Sequence, residues 1–103
     1  MYDNLIKIEG QIVINGLIKT FNVEKKPKEI TYCGKKKQLE EKVLINLLDS
    51  LFRKIRMWDS FINKEEKCLM IVTLFEKEGK YTYYKKNNDY DDVEKIIELL
   101  EGV

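Results

Sequence analysis

Asn15-Gly16 constrains this chain more than any other dipeptide in it, because one turn assigns a face to almost twenty residues. Both residue types tolerate the positive φ that the two central positions of a type I′ hairpin turn require. With a two-residue loop there, Ile14 faces Leu17, Ile12 faces Lys19, Phe21 sits opposite Gly10 and Ile8 faces Val23. Side chains alternate along a strand, so Ile6, Ile8, Ile12, Ile14, Leu17, Phe21 and Val23 are expected on one side. Lys7, Glu9, Gln11, Thr20, Asn22 and Glu24 take the other, with Lys7 opposite Glu24 as a cross-strand ion pair. Turn chemistry and alternation agree on a hairpin. The hairpin is scaffold and says nothing about chemistry.

Downstream, Pro27 in Lys25-Lys26-Pro27-Lys28 blocks strand continuation, and Glu29 to Cys33 reads as a short third strand ended by Gly34. From Lys35 to Asn63 the apolar period becomes helical. Val43, Leu44, Leu47, Leu48, Leu51, Ile55, Trp58, Phe61 and Ile62 share one arc, and charged residues occupy the opposite one. The run is either one helix or breaks near Asp59-Ser60, which would cap a second piece. Lys67 to Glu76 is apolar on both faces, as a central strand would be, with Cys68, Met70, Val72 and Leu74 on one side and Leu69, Ile71 and Phe75 on the other. After a turn at Glu78-Gly79, Lys80 to Lys86 returns as a strand. Asp92 to Glu101 forms a last helix with Val93, Ile96, Ile97 and Leu100 inward. The order β-β-β-α-β-β-α gives an α+β domain spanning 1–103. Its expected sheet is mainly antiparallel, of about five strands, with the long helix across one face. Nothing in the pattern assigns the second helix to a face.

Composition then excludes whole classes. At 103 residues, 44% hydrophobic and 36% charged, the chain is globular and large enough for one core without staples. No apolar run reaches the roughly 18–20 residues that span a bilayer, and no export signal opens the chain, so a cytoplasmic protein is expected. Cys33 and Cys68 then read as reduced, buried core cysteines. The absence of alanine and histidine, with lysine far outnumbering arginine, is the bias of AT-rich codons and points to a low-GC bacterium or its phage.

The lack of histidine removes the usual general base, triad partner and metal ligand. Neither cysteine has a ligand-spaced partner for zinc. Gly34-Lys35-Lys36 lacks both the first glycine and the final hydroxyl of a phosphate-binding loop. Asp89, Asp91 and Asp92 offer oxygen ligands without the rest of a calcium loop, and helix capping accounts for them more simply. No catalytic residue, metal or cofactor is expected, and the chain reads as a non-enzyme.

Three features carry functional expectations. Lys25, Lys26, Lys28, Lys35, Lys36 and Lys37 stand against Glu29 alone, a local excess of five positive charges, while residues Asp89 to Glu101 hold six acids against Lys95. Lys35 to Lys37, read as the start of a helix, would oppose its dipole, a cost that an anionic partner would relieve. Tyr81, Tyr83 and Tyr84, interleaved with lysines on a strand, fit core packing, a protein interface or base stacking. Finally, Ile45, Asp49, Phe52, Arg56 and Asp59 form a ridge outside the main helical stripe, an apolar pair rimmed by both charges. Ridge and tyrosines together suggest a small protein-binding module, such as an inhibitor, immunity or anti-defence protein. The lysine cluster with stacking tyrosines suggests nucleic-acid binding as the alternative. An apolar sheet face left open by the helices would add a twofold homodimer, through that face or through the Ile45–Phe52 ridge.

Overall fold

A computed structural model describes residues 4–61, 67–86 and 90–103. The chain runs β1 (Leu5–Ile14), β2 (Leu17–Glu24), β3 (Glu29–Tyr32), β4 (Lys35–Gln38), α1 (Glu41–Ile55), β5 (Cys68–Glu76), β6 (Gly79–Lys86) and α2 (Tyr90–Glu101). Six strands form one sheet in the order β4-β3-β2-β1-β5-β6, and every neighbouring pair is antiparallel. The α+β class holds, with one strand more than expected.

The first hairpin has the register that its turn dictates: Ile14 pairs with Leu17, Gly10 with Phe21 and Lys7 with Glu24. Asn15 and Gly16 adopt φ of 51° and 78°. Facing is another matter. A bulge between Leu5 and Lys7, where β1 pairs with β5, inserts one residue and reverses the alternation. Leu5 is therefore buried at 1% exposure and Ile6 is outside at 47%. Leu17 is also exposed, because the hairpin tip projects beyond the cover of the core.

Lys35, Lys36 and Lys37 form an edge strand and not the start of a helix. Cys33 and Gly34 take φ of 52° and 82°, close to the values of the first turn, and return the chain as a second two-residue hairpin. Cysteine at the first turn position hid that signal, and it leaves Cys33 exposed where a buried thiol was expected. A lysine-rich outer strand also discourages edge-to-edge pairing between molecules. The dipole penalty expected of these lysines accordingly disappears. Helix α1 starts only at Glu41, with Glu40 as an extended N-cap residue, and stops at Ile55. The turns that follow still bury Trp58, but Phe61 is 72% exposed, and the expected inward position of Ile62 lies outside the described residues.

Both helices pack on the same face of the sheet. Leu44, Leu47, Leu48, Leu51 and Ile55 of α1 and Val93, Ile96 and Leu100 of α2 join one cluster with Ile8, Ile12, Phe21, Val23, Ile30, Met70, Val72 and Leu74. Burying each such side chain contributes about 1.5–3 kcal/mol, so this layer alone accounts for the order of the helices. Lys85 fastens the layers at one corner. It lies 2.8 Å from Asp92 of α2 and 5.6 Å from the Trp58 ring, and its side chain is 14% exposed. At the other end of α2 the Tyr32 hydroxyl donates to Glu101 across 3.2 Å. Among the described residues no helix is long and apolar enough to cross a membrane.

Candidate functional site

With both helices on one side, the opposite face of the sheet carries no covering layer among the described residues. Its central row, read across the strands, is Lys36, Thr31, Asn22, Glu9, Thr73 and Thr82. The neighbouring row includes Gln11, Ile71 and Tyr84. Alternation dictates this grouping, because each residue is the cross-strand partner of the next. A shallow depression of about 400 Å³ runs over Glu9, Gln11, Thr20, Asn22, Thr31, Ile71 and Thr73. The Thr73 and Thr82 hydroxyls lie 3.1 Å apart, while Asn22 Oδ1 is buried without a hydrogen-bond partner.

On this face Ile18, near the hairpin tip, is 64% exposed, whereas Ile71, Phe75 and Tyr84 are half-buried. Lys7 explains part of that. Its ammonium sits 2.9 Å from Glu9 and 4.6 Å from the centre of the Phe75 ring, so a lysine stem and a cation lie over the aromatic surface. Its pKa is raised, first by the hydrogen bond to Glu9 and against the opposing effect of desolvation. Leu69, expected on the open side with Ile71 and Phe75, instead packs against the core, next to the bulge between Cys68 and Met70.

The helical ridge is divided. Ile45 is exposed, and Phe52 is only partly exposed, since it packs on the core with the Arg56 guanidinium 5.7 Å from its ring. Asp49 pairs with Arg53 one turn on, at 3.1 Å. Asp59 has left the helix. Its carbonyl accepts the Tyr84 N–H at 2.8 Å, and its carboxylate lies 3.6 Å from Lys86, so the end of the ridge is tied to the edge strand β6. The three tyrosines also part company. Tyr83 packs against the core, Tyr81 is exposed on the helix side, and Tyr84 belongs to the open face.

The six lysines do converge on one edge. Lys25, Lys26 and Lys28 stand on the β2–β3 turn, which is held by hydrogen bonds from Lys25 N to Ile6 O, Lys28 N to Lys25 O and Leu39 N to Lys28 O. Lys35, Lys36 and Lys37 follow along β4. Lys26, Lys35, Lys36 and Lys37 make no ion pair among the described residues, and Lys28 reaches Glu41 only at 3.9 Å. Strand spacing puts β4 about 24 Å from β6, so these lysines and the tyrosines cannot form one compact stacking site. Asp89 lies outside the described residues, while Asp91 and Asp92 open α2, where negative charge suits the helix N-terminus. The Lys85 hydrogen bond, ahead of desolvation, holds the Asp92 carboxyl below its usual range.

Sequence reasoning missed the hairpin tip. Leu17 and Ile18 are 67% and 64% exposed, beside the half-exposed Tyr90. Two signals were available: alternation puts Ile18 on the side of Thr20 and Asn22, and the hairpin, ten and eight residues in its strands, outruns helices of 15 and 12 residues. Comparison with known proteins finds no matching family model, no matching curated protein and no matching solved structure.

Proposed function

We propose that this chain is a non-enzymatic protein-binding module, of the kind that inhibits or neutralises another protein in a low-GC bacterium or its phage. The observation that carries the reading is the one-sided packing of both helices. It leaves a broad sheet face of hydroxyl, amide, charged and apolar groups, with Ile71, Phe75 and Tyr84 half-buried and Asn22 Oδ1 unpartnered. Mixed polar and apolar character is what a non-obligate interface looks like, and Tyr84 supplies an amphipathic ring of the kind enriched there. Sheet strands also hold these groups in fixed positions, so little ordering entropy is lost on binding. The Asp59–Tyr84 bridge ties the end of the helical ridge to the edge strand β6, which carries Tyr84.

A tagged chain, expressed in a low-GC bacterial host and recovered with its bound proteins, tests the reading. One partner at near-stoichiometric amount is expected, lost on Ile71→Arg or Tyr84→Arg while circular dichroism is unchanged. Repeated recovery of nothing specific would defeat it. Nucleic-acid binding has one observation in its favour, the shared edge of the six lysines. That reading requires affinity to fall with salt at a log–log slope of about −0.7 to −0.9 per phosphate contact, which gel shifts measure directly.

A further inference from the structure

The two ends of β2 carry grooves of opposite charge. At its Glu24 end, a groove of about 320 Å³ lies between the β2–β3 turn and α1, with Leu44, Ile45 and Leu48 along its floor and wall. Lys25, Lys26 and Lys28 rim it against a single acid, Glu41. At the Leu17 end, a second groove of about 450 Å³ lies between the hairpin tip and α2, lined by Ile14, Leu17, Tyr90 and Ile97. Its rim is Glu94 and Glu98 against a single base, Lys19. Strand rise separates the two ends by about 25 Å, so one molecule cannot bring them together.

We infer that the hairpin tip of one copy docks into the lysine-rimmed groove of the next, a head-to-tail contact between copies of this chain. Leu17 is the knob: it projects at 67% exposure beside Glu94 and Glu98. Ile45 and the Leu44–Leu48 floor form the apolar receiver, and Lys26 and Lys28 meet the two glutamates. Each rim also carries one charge of the other sign, Lys19 at the tip and Glu41, which lies 3.9 Å from Lys28, at the receiver. The β2–β3 turn holds its lysines in place through three backbone hydrogen bonds, so the receiver is formed before docking. A heterologous contact of this kind does not close at two copies but continues into chains or rings. This contact is independent of the open sheet face and leaves that face free for another protein.

Charge exchange tests it on the full chain. Sedimentation over a concentration series up to millimolar should show average mass rising past the dimer, less so as salt is added. Lys26→Glu with Lys28→Glu should weaken association about tenfold, Glu94→Lys with Glu98→Lys should do the same, and the chain with all four changes should recover it. Leu17→Ser should weaken it without altering the salt dependence. All five positions are exposed, and circular dichroism verifies each variant's fold. A strictly monomeric wild-type chain overturns the inference, as does failure of the fourfold variant to recover association. A dimer that stops at two copies and ignores both reversals also overturns it, and assigns self-association to the sheet face.

Discussion

Gly10 should resist even the smallest side chain. It pairs with Phe21 across the central hairpin, and the ring of Phe21 lies over the place where a Cβ would project. A Cβ built on Gly10 overlaps Cε1 and Cζ of Phe21 and comes within 3.2 Å of Cδ1. Phe21 is itself buried at 3% exposure in the helix-covered layer, so the ring has no open space to enter. Overpacking of this kind costs about 1–3 kcal/mol. Replacing glycine also restricts the unfolded chain, which returns about 0.4–1 kcal/mol. Gly10→Ala should therefore lose about 1–2 kcal/mol, or roughly 5–15 °C in Tm for a domain of this size. Urea unfolding should show a lower midpoint with an unchanged slope. The partner variant isolates the cause. Phe21→Leu alone should cost about 1 kcal/mol in lost packing. In combination with Gly10→Ala, the total should fall short of the sum by more than about 0.5 kcal/mol, because the clash no longer exists. If Gly10→Ala is neutral or stabilising, or if the two changes simply add, the ring does not occupy that space and the reasoning fails.

Three further outcomes are expected. Asp92→Asn should lower stability at neutral pH by about 1 kcal/mol or less, since Asp92 is partly exposed; because the Lys85 contact holds the folded pKa below the ordinary aspartate value, the contribution is present above that ordinary value and lost as pH falls through the folded one, so the two chains' acid-unfolding curves should converge. The Tyr32 phenol, pushed up to about 12 by burial and then by Glu101, should give a late ionisation step in an ultraviolet titration, with stability falling as pH rises from about 10 through 12; Glu101→Gln should bring that ionisation down, and an unshifted titration would refute the contact. Ile6→Thr should change stability by less than about 0.5 kcal/mol, whereas Leu5→Ala should cost about 2–5 kcal/mol, and equal effects measured by urea unfolding would deny the bulge that exchanges their places.

Much of the scaffold was legible because its signals are local. Asn15-Gly16 needs positive φ wherever it stands, and a two-residue turn then sets every pair from Leu17 to Glu24. The helical stripe from Leu44 to Ile55 and the doubly apolar strand Cys68–Glu76 likewise carry their period within a few residues. Three features were decided elsewhere. Lys35 to Lys37 have no strand signature of their own, and they are extended because Cys33-Gly34 turns the chain back onto β3. Leu5 and Ile6 are equally apolar, so only the bulge against β5, a partner more than sixty residues away, selects which one is buried. The surfaces are least local of all. The amphipathic pattern of α2 requires that Val93, Ile96 and Leu100 be covered, and either side of the sheet would satisfy it. The side it takes, fixed by packing beside α1 and by the Lys85–Asp92 and Tyr32–Glu101 contacts, determines which face of the sheet stays open and which ends of the hairpin become grooves. Periodicity determines what must be buried, whereas the choice of partner that buries it belongs to the tertiary structure, because that free energy arises only when distant segments meet.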